Sequence, residues 1–201
     1  TIKIPLAVTY DARHKRAFVS DGWGNRILVF DADPARLRNG PEAIAVLGQA
    51  DFTSITPATT QTGINLDTRV GTGITPSRPR GTGLAYDPVH DRLFVSDGGN
   101  HRVLGFDVAP DRLRSGMAAS VVLGQPDFTT SGRNSTPTGL YQPAALFYES
   151  EQHRLFVADG NNNRVLVFDA APDRLANGAT PSVVIGQGDF DTFEAGRSRS
   201  A

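Results

Sequence analysis

The chain contains no cysteine, and only one methionine and one tryptophan among 201 residues. Disulfides, thiolate nucleophiles and cysteine-based zinc sites are therefore excluded. An excess of either charge is missing too. Lys and Arg total 20 against 21 for Asp and Glu, so no overall field draws the protein toward nucleic acid or an anionic membrane. No apolar run approaches the roughly 18 to 20 residues that cross a bilayer, and no charged start followed by an apolar stretch resembles a secretory signal. What is present is 39% hydrophobic residues, enough for a sizeable core and a globular class. The cysteine count leaves the compartment open; the expected location is extracytoplasmic or secreted.

Three segments, 16–53, 92–129 and 154–191, superpose without a gap, and a recurrence of this kind marks a repeat architecture. Each opens with an apolar strand (RAFVSD, RLFVSD, RLFVAD), turns (GWGN, GGNH, GNNN) and continues as RILVFD, RVLGFD or RVLVFD. Each then carries a Pro-led segment ending in Gly (DPARLRNG, APDRLRSG, APDRLANG) and a last apolar strand closing in VLGQADF, VLGQPDF or VIGQGDF. One more short apolar stretch precedes each segment: PLAVTYD, GTGLAYD and PAALFYE. β-Branched and aromatic runs of about five residues bounded by Gly, Asn, Asp and Pro predict strands, four per unit. The units fall at about 2–53, 81–129 and 143–191, joined by long connections at about 54–80 and 130–142. Pro34, Pro110 and Pro172 suit a first helical turn, and Gly40, Gly116 and Gly178 a left-handed stop. About one helical turn is expected between the third and fourth strands.

A lone four-stranded sheet exposes both faces and needs neighbours stacked on it to bury Val, Leu and Phe. Radial stacking gives an all-β propeller. PAALFYE followed by RLFVADGNNNRVLVFD resembles the NHL repeat of β-propellers, and the resemblance covers nearly the whole chain apart from the long connections. Trp23 and Gly24 depart from the pattern in the first copy, and the Gln-x-Asp-Phe ending recurs with unusual fidelity. NHL propellers usually have six blades, so the resemblance implies an incomplete ring, since three blades cannot close around an axis. Further blades would come from a second copy or from the rest of a parent polypeptide; the start at Thr1 without Met and the polar ending EAGRSRSA favour the parent polypeptide. The flanks expected to meet those blades carry Val8, Val19 and Val29 at one end and Val157, Val167 and Val184 at the other.

Antiparallel order puts the second-to-third turn and the blade-to-blade connection on one propeller face. Long Thr-, Ser-, Gly- and Pro-rich connections inside a compact repeat are usually functional or disordered, which makes this the candidate binding face. Its residues are Trp23, Asn25, Asn100, His101, Tyr141, Asn162 and Asn163. Arg69, Arg78 and Arg80 form a basic cluster there that could hold a carboxylate or phosphate. Asp21, Asp97 and Asp159 end the second strands, and Arg26, Arg102 and Arg164 begin the third. One carboxylate per turn is too few for calcium, which takes six or more oxygens, so structural pairing is expected. Gln49, Gln125 and Gln187 recur once per blade, as do Phe52, Phe128 and Phe190. Packing needs a device in every blade, whereas catalysis needs a group once per site. The three Phe rings are expected to be buried at equivalent places.

His14, His90 and His153 fall in turns on the opposite face, and His101 alone belongs to the candidate face. The first strands carry no His, so a three-His zinc site cannot be assembled from them. No nucleophile motif such as G-x-S-x-G occurs. No metal or cofactor is expected. The favoured reading is a non-catalytic binding or scaffold module presenting the connection face to a protein, peptide or glycan. One alternative is a hydrolase or lyase with a metal in the channel whose ligands lie in missing blades. Another is an RNA-binding propeller, which would need a basic face that the net charge does not suggest.

Overall fold

A computed structural model describes residues 1–66 and 82–195. Among them, twelve strands form three four-stranded sheets. Blade 1 comprises β1 (Pro5–Asp11), β2 (Arg16–Asp21), β3 (Arg26–Asp31) and β4 (Ala43–Leu47). Blade 2 comprises β5 (Leu84–Asp87), β6 (Arg92–Asp97), β7 (Arg102–Asp107) and β8 (Val121–Leu123). Blade 3 comprises β9 (Pro143–Glu149), β10 (Arg154–Asp159), β11 (Arg164–Asp169) and β12 (Val183–Ile185). Every sheet is an antiparallel meander whose spatial order follows the chain.

The hairpins close on residues that tolerate left-handed backbone. Lys15, Asp91 and His153 have φ of 54°, 50° and 54°, and Asn25, His101 and Asn163 have φ of 48°, 54° and 52°. Asn, Asp and His enter this region more readily than other side chains. The Pro-led segments make a single turn: the N–H groups of Arg36 and Leu37 both reach Asp33 O, those of Arg112 and Leu113 reach Ala109 O, and those of Arg174 and Leu175 reach Ala171 O. Gly40, Gly116 and Gly178 have φ of 67°, 69° and 66°. They sit three residues beyond the turn's last bonded N–H, so they steer the chain into the fourth strand instead of stopping a helix.

The sheets stack face to face, the arrangement of propeller blades. In the first seam Phe18, Ile27, Val29, Ala45 and Leu47 of blade 1 meet Leu93, Val95, Leu104, Phe106 and Val122 of blade 2. In the second, Phe94, Val103, Val121 and Leu123 of blade 2 meet Tyr148, Leu155, Val157, Leu166 and Phe168 of blade 3. The first strands crowd together, β1 against β5 and β5 against β9. A Cβ on Gly83 would lie 2.4 Å from Ala144 O, so this approach of backbones requires glycine.

Register corrects half of the expected flank residues. Val8 and Val19 pair with each other and lie on the open side of blade 1, but Val29 pairs with Phe18 and is fully buried in the first seam. At the other end Val167 lies on the open side, while Val157 and Val184 pack into the second seam. Side chains alternate across a strand, so valines chosen by type alone fall on both faces. The Phe expectation also fails in blade 1 and is met only in part in the other two, where the rings are half-buried. Phe128 and Phe190 lean against the first and second seams, each toward the preceding blade, whereas Phe52 is 45% exposed. Among the described residues no sheet precedes blade 1, and Phe52 has nothing to lean on.

Candidate functional site

An Asp–Arg pair anchors the connections of every blade. Arg102 Nε donates to Asp97 Oδ2 at 2.7 Å, and both side chains are fully buried. Arg102 Nη1 reaches Phe128 O at 2.5 Å, and its Nη2 reaches Thr60 O and Gly63 O, both at 3.0 Å. Asp97 Oδ1 accepts the N–H of Asn65 at 2.7 Å. One guanidinium thus ties the connection arriving from blade 1 to the one leaving blade 2. Arg164 repeats the pattern with Asp159, Phe190 O, Thr136 O and Gly139 O, while Asp159 Oδ1 takes the N–H of Tyr141. In blade 1 the chain start substitutes: Asp21 accepts the N–H groups of Lys3 and Ile4, and Arg26 reaches Thr1 O and Phe52 O. Burial raises the Asp97 carboxyl to about 6 against the pull of the Arg102 charge and the Asn100 and Asn65 donors. Burial raises Asp159 as well.

The Gln-x-Asp-Phe ending closes the same loops. Gln49 Nε2 donates to Asn25 O and Thr56 O, Gln125 Nε2 to His101 O and Gly132 O, and Gln187 Nε2 to Asn163 O and Glu194 O. The Thr53 hydroxyl, with the N–H groups of Ser54 and Thr53, holds Asp51 well below the usual carboxylate range. The Thr129 N–H does the same for Asp127, and the Asp191 N–H for Asp189.

The expected binding face loses several of its members to this scaffolding. Asn25 is buried, with Nδ2 on Ile55 O and Oδ1 accepting the N–H of Leu66. Asn100 and Asn162 are 2% exposed and bridge their blade's Asp to the incoming connection through Ala58 O and Asn134 O. These three hold the face from beneath and do not present donors above it. His101 occupies the place of Asn25 in the next blade, and its Nδ1 accepts the N–H of Gln142 at 3.2 Å, as Asn25 Oδ1 accepts that of Leu66. The ring must be neutral to accept, which puts its proton on Nε2. Burial, aided by Arg133, lowers its pKa. Arg69, Arg78 and Arg80 lie outside the described residues.

What stays accessible is Trp23, which is 48% exposed, and a patch where the second connection crosses from blade 2 to blade 3. There the Arg133 guanidinium stands 5.4 Å from the centre of the Tyr141 ring, and its Nη1 lies 3.3 Å from Tyr141 Oη. The His101 ring meets Tyr141 edge-on at 5.3 Å. Asn163 is exposed and bonded to Phe193 O. Arg133 escaped the sequence reading because a lone cation in a Ser/Thr/Gly loop carries no signal until the fold sets it on an aromatic ring. The patch offers an aromatic ring, a cation and hydrogen-bond donors side by side.

On the opposite face Asp11, His14 and Asp91 form the one group of three among the described residues with donor atoms within 4.8 Å of each other. Asp11 Oδ2 already accepts Arg16 Nε at 2.9 Å and Nη2 at 2.6 Å, and the same Nη2 lies 3.3 Å from His14 Nδ1. A guanidinium therefore stands where a metal would need to be. Burial alone would raise Asp11, but the His14 N–H and the Arg16 and His14 side chains together draw it down. His90 bonds Asp87, and its ring lies tilted with its centre 5.0 Å from that of His153, which bonds the Tyr148 hydroxyl.

No protein-family model matches the sequence, and no curated protein does. Among solved structures, the chain is similar to the Cps50 (Swd1) β-propeller domain of Myceliophteria thermophila: the match is 10% identical, covers 92% of this chain and 44% of that one, and has a TM-score of 0.48. It is also similar to a Bacteroides fragilis protein described as a 6-phosphogluconolactonase, 14% identical, covering 82% of this chain and 34% of that one, with a TM-score of 0.46. The chain thus spans less than half the length of either structure. The blade architecture stands on this chain's own strand order and seam packing.

Proposed function

We propose that the three blades belong to a larger ring of NHL type, and that the chain is a non-catalytic binding or scaffold module. Its connection face would receive a protein, peptide or glycan on the Arg133–Tyr141–His101 patch. The observation that carries this reading is the division of labour on that face: the Asn, Gln, Asp and Arg side chains beneath it are consumed in holding the connections, while an aromatic ring and a cation are left at the surface. Arg and Tyr are the residue types that dominate recognition surfaces. The repeat cores ADGNNNRV and SDGGNHRV support the NHL assignment.

The test is a panel of peptides and oligosaccharides screened by amide chemical-shift changes. Binders should perturb Tyr141 and Arg133 first, and Tyr141→Ala and Arg133→Ala should each weaken binding at least about tenfold without moving the melting temperature. Shifts confined to the opposite face, around His14 and His90, would overturn the proposal.

A further inference from the structure

We propose that a second copy of this chain covers the open flanks, with blade 1 of one copy seated on blade 3 of the other, so that two copies close one ring. This rests on the reading that the blades belong to a larger ring, and it names what completes it.

The two flanks are unlike halves of the same seam. On the open side of blade 1, Leu28, itself only 4% exposed, and the half-buried Phe30 stand where Leu104 and Phe106, and Leu166 and Phe168, fill the two existing seams at 0% exposure. On the open side of blade 3, Val183 and Ile185 are 48% and 49% exposed, yet their counterparts Ala45 and Leu47, and Val121 and Leu123, are buried in the opposite halves of those seams. The chain's own tail therefore has the shape and chemistry that its own head accepts. The acceptor is an open groove of about 900 Å³ on blade 1, lined by Val19, Leu28, Phe30 and the exposed Phe52. Such a head-to-tail contact either closes into a ring or grows without limit. If two copies of three blades each close a ring, no flank is left over.

Backbone groups make the same case independently. The fourth strand of each covered blade is capped by the next blade's Pro-led segment. Val46 donates its N–H to Ser115 Oγ and accepts that of Gly116 at 3.0 Å, while Val122 donates to Asn177 Oδ1 and accepts the N–H of Gly178 at 2.9 Å. The next residue in this series is Val184 of blade 3. The matching cap is Asn39 and Gly40 of blade 1, where Gly40 already holds φ of 67° and has no atom within 4 Å of its Cβ direction. One copy's Asn39 and Gly40 are thus arranged to cap the other's Val184.

Sedimentation velocity on the full chain tests this. The expected species has twice the 21.5 kDa of one chain. Val8→Asp and Ile185→Asp alter residues that are 68% and 49% exposed, so each variant should keep its circular dichroism spectrum. Each alone should be monomeric, and an equimolar mixture should regain a weaker dimer through its one intact head and tail. A monomeric parent, a variant that dimerises by itself, or growth beyond two copies would each overturn the proposal. Binding of a hydrophobic dye separates the two levels of the reading. A monomeric parent whose dye binding falls in both variants removes only the second copy as occupant, whereas a monomer that binds no dye removes the larger ring as well.

Discussion

Tyr86 and Tyr148 are 9% and 8% exposed, while Tyr10, at the same place in blade 1, is 48% exposed. The same contrast separates Phe106 from Phe30 on one side of the blade and Leu123 from Ile185 on the other. Blade 2 is covered on both sides and blades 1 and 3 on one each, so burial at these positions follows the neighbour, although Leu28 and Val167, paired on both sides within their own sheets, are only 4% and 3% exposed on the open flanks. Repeat proteins behave this way because much of each unit's stability comes from its contacts with adjacent units.

Equivalent substitutions in the two regions should therefore differ. The largest effect is expected for Arg102→Ala, which strands the buried Asp97 and leaves three carbonyls without their donor; about 3 to 5 kcal/mol should be lost. Arg26→Ala, next to the chain start, should cost less, and equal losses in urea denaturation would break the comparison. Phe106→Ala should cost about 3 kcal/mol or more, because the ring fills a closed seam. Phe30→Ala should cost about 2 kcal/mol less than that in the monomeric Ile185→Asp background, where the flank stays open, and a matching loss there would break the comparison. Gln125→Ala leaves His101 O and Gly132 O unpaired beneath the face, at about 1 to 3 kcal/mol. Gln187→Ala should fall below about 1 kcal/mol, since water can reach its two carbonyls.

The smallest effect is one of pH. A His whose folded pKa is depressed contributes stability that is complete above the unfolded value of 6.5 and is lost as pH falls through it. His101→Asn keeps an acceptor for the Gln142 N–H without a titrating ring. Its urea midpoint should match the parent at pH 8 and exceed it at pH 5. A parent that holds its midpoint relative to the variant across that range would remove His101 from the list of groups that must stay neutral. Asp97 runs the other way: a carboxyl raised to about 6 takes up a proton on folding. Its contribution therefore grows as pH falls toward 3.8, and comparison with His101→Asn at each pH keeps the two apart.

The blades were legible because the chain writes them three times, and overlay of the copies marks strand, turn and connection without any propensity scale. The faces were harder. Val19 and Val29 look alike in sequence, and only the pairing of Val19 with Leu28 and of Val29 with Phe18 puts one outside and the other in a seam. Asn25, Asn100 and Asn162 looked like surface donors because Asn suits an exposed turn equally well. For Asn100 and Asn162, which are equivalent, recurrence is the available signal, the same signal that marks the Gln residues as structural; Asn25 aligns with His101 and Asn163 instead. Phe52 defeated that logic, since repetition guarantees an equivalent place and not an equivalent neighbour.

The Asp–Arg pairs also fix where the chain can change length. Asn65 and Tyr141 occupy equivalent places, each giving its N–H to a blade's Asp, and Leu84 and Leu146 are equivalent in the strands that follow. The first connection is longer than the second, and its extra residues enter after Asn65, downstream of Thr60 O and Gly63 O, the two carbonyls of that connection that Arg102 grips. Anchorage is settled before the added sequence begins. A foreign segment spliced between Leu66 and Thr82 would leave those contacts intact, so the chain carries a ready port for new sequence.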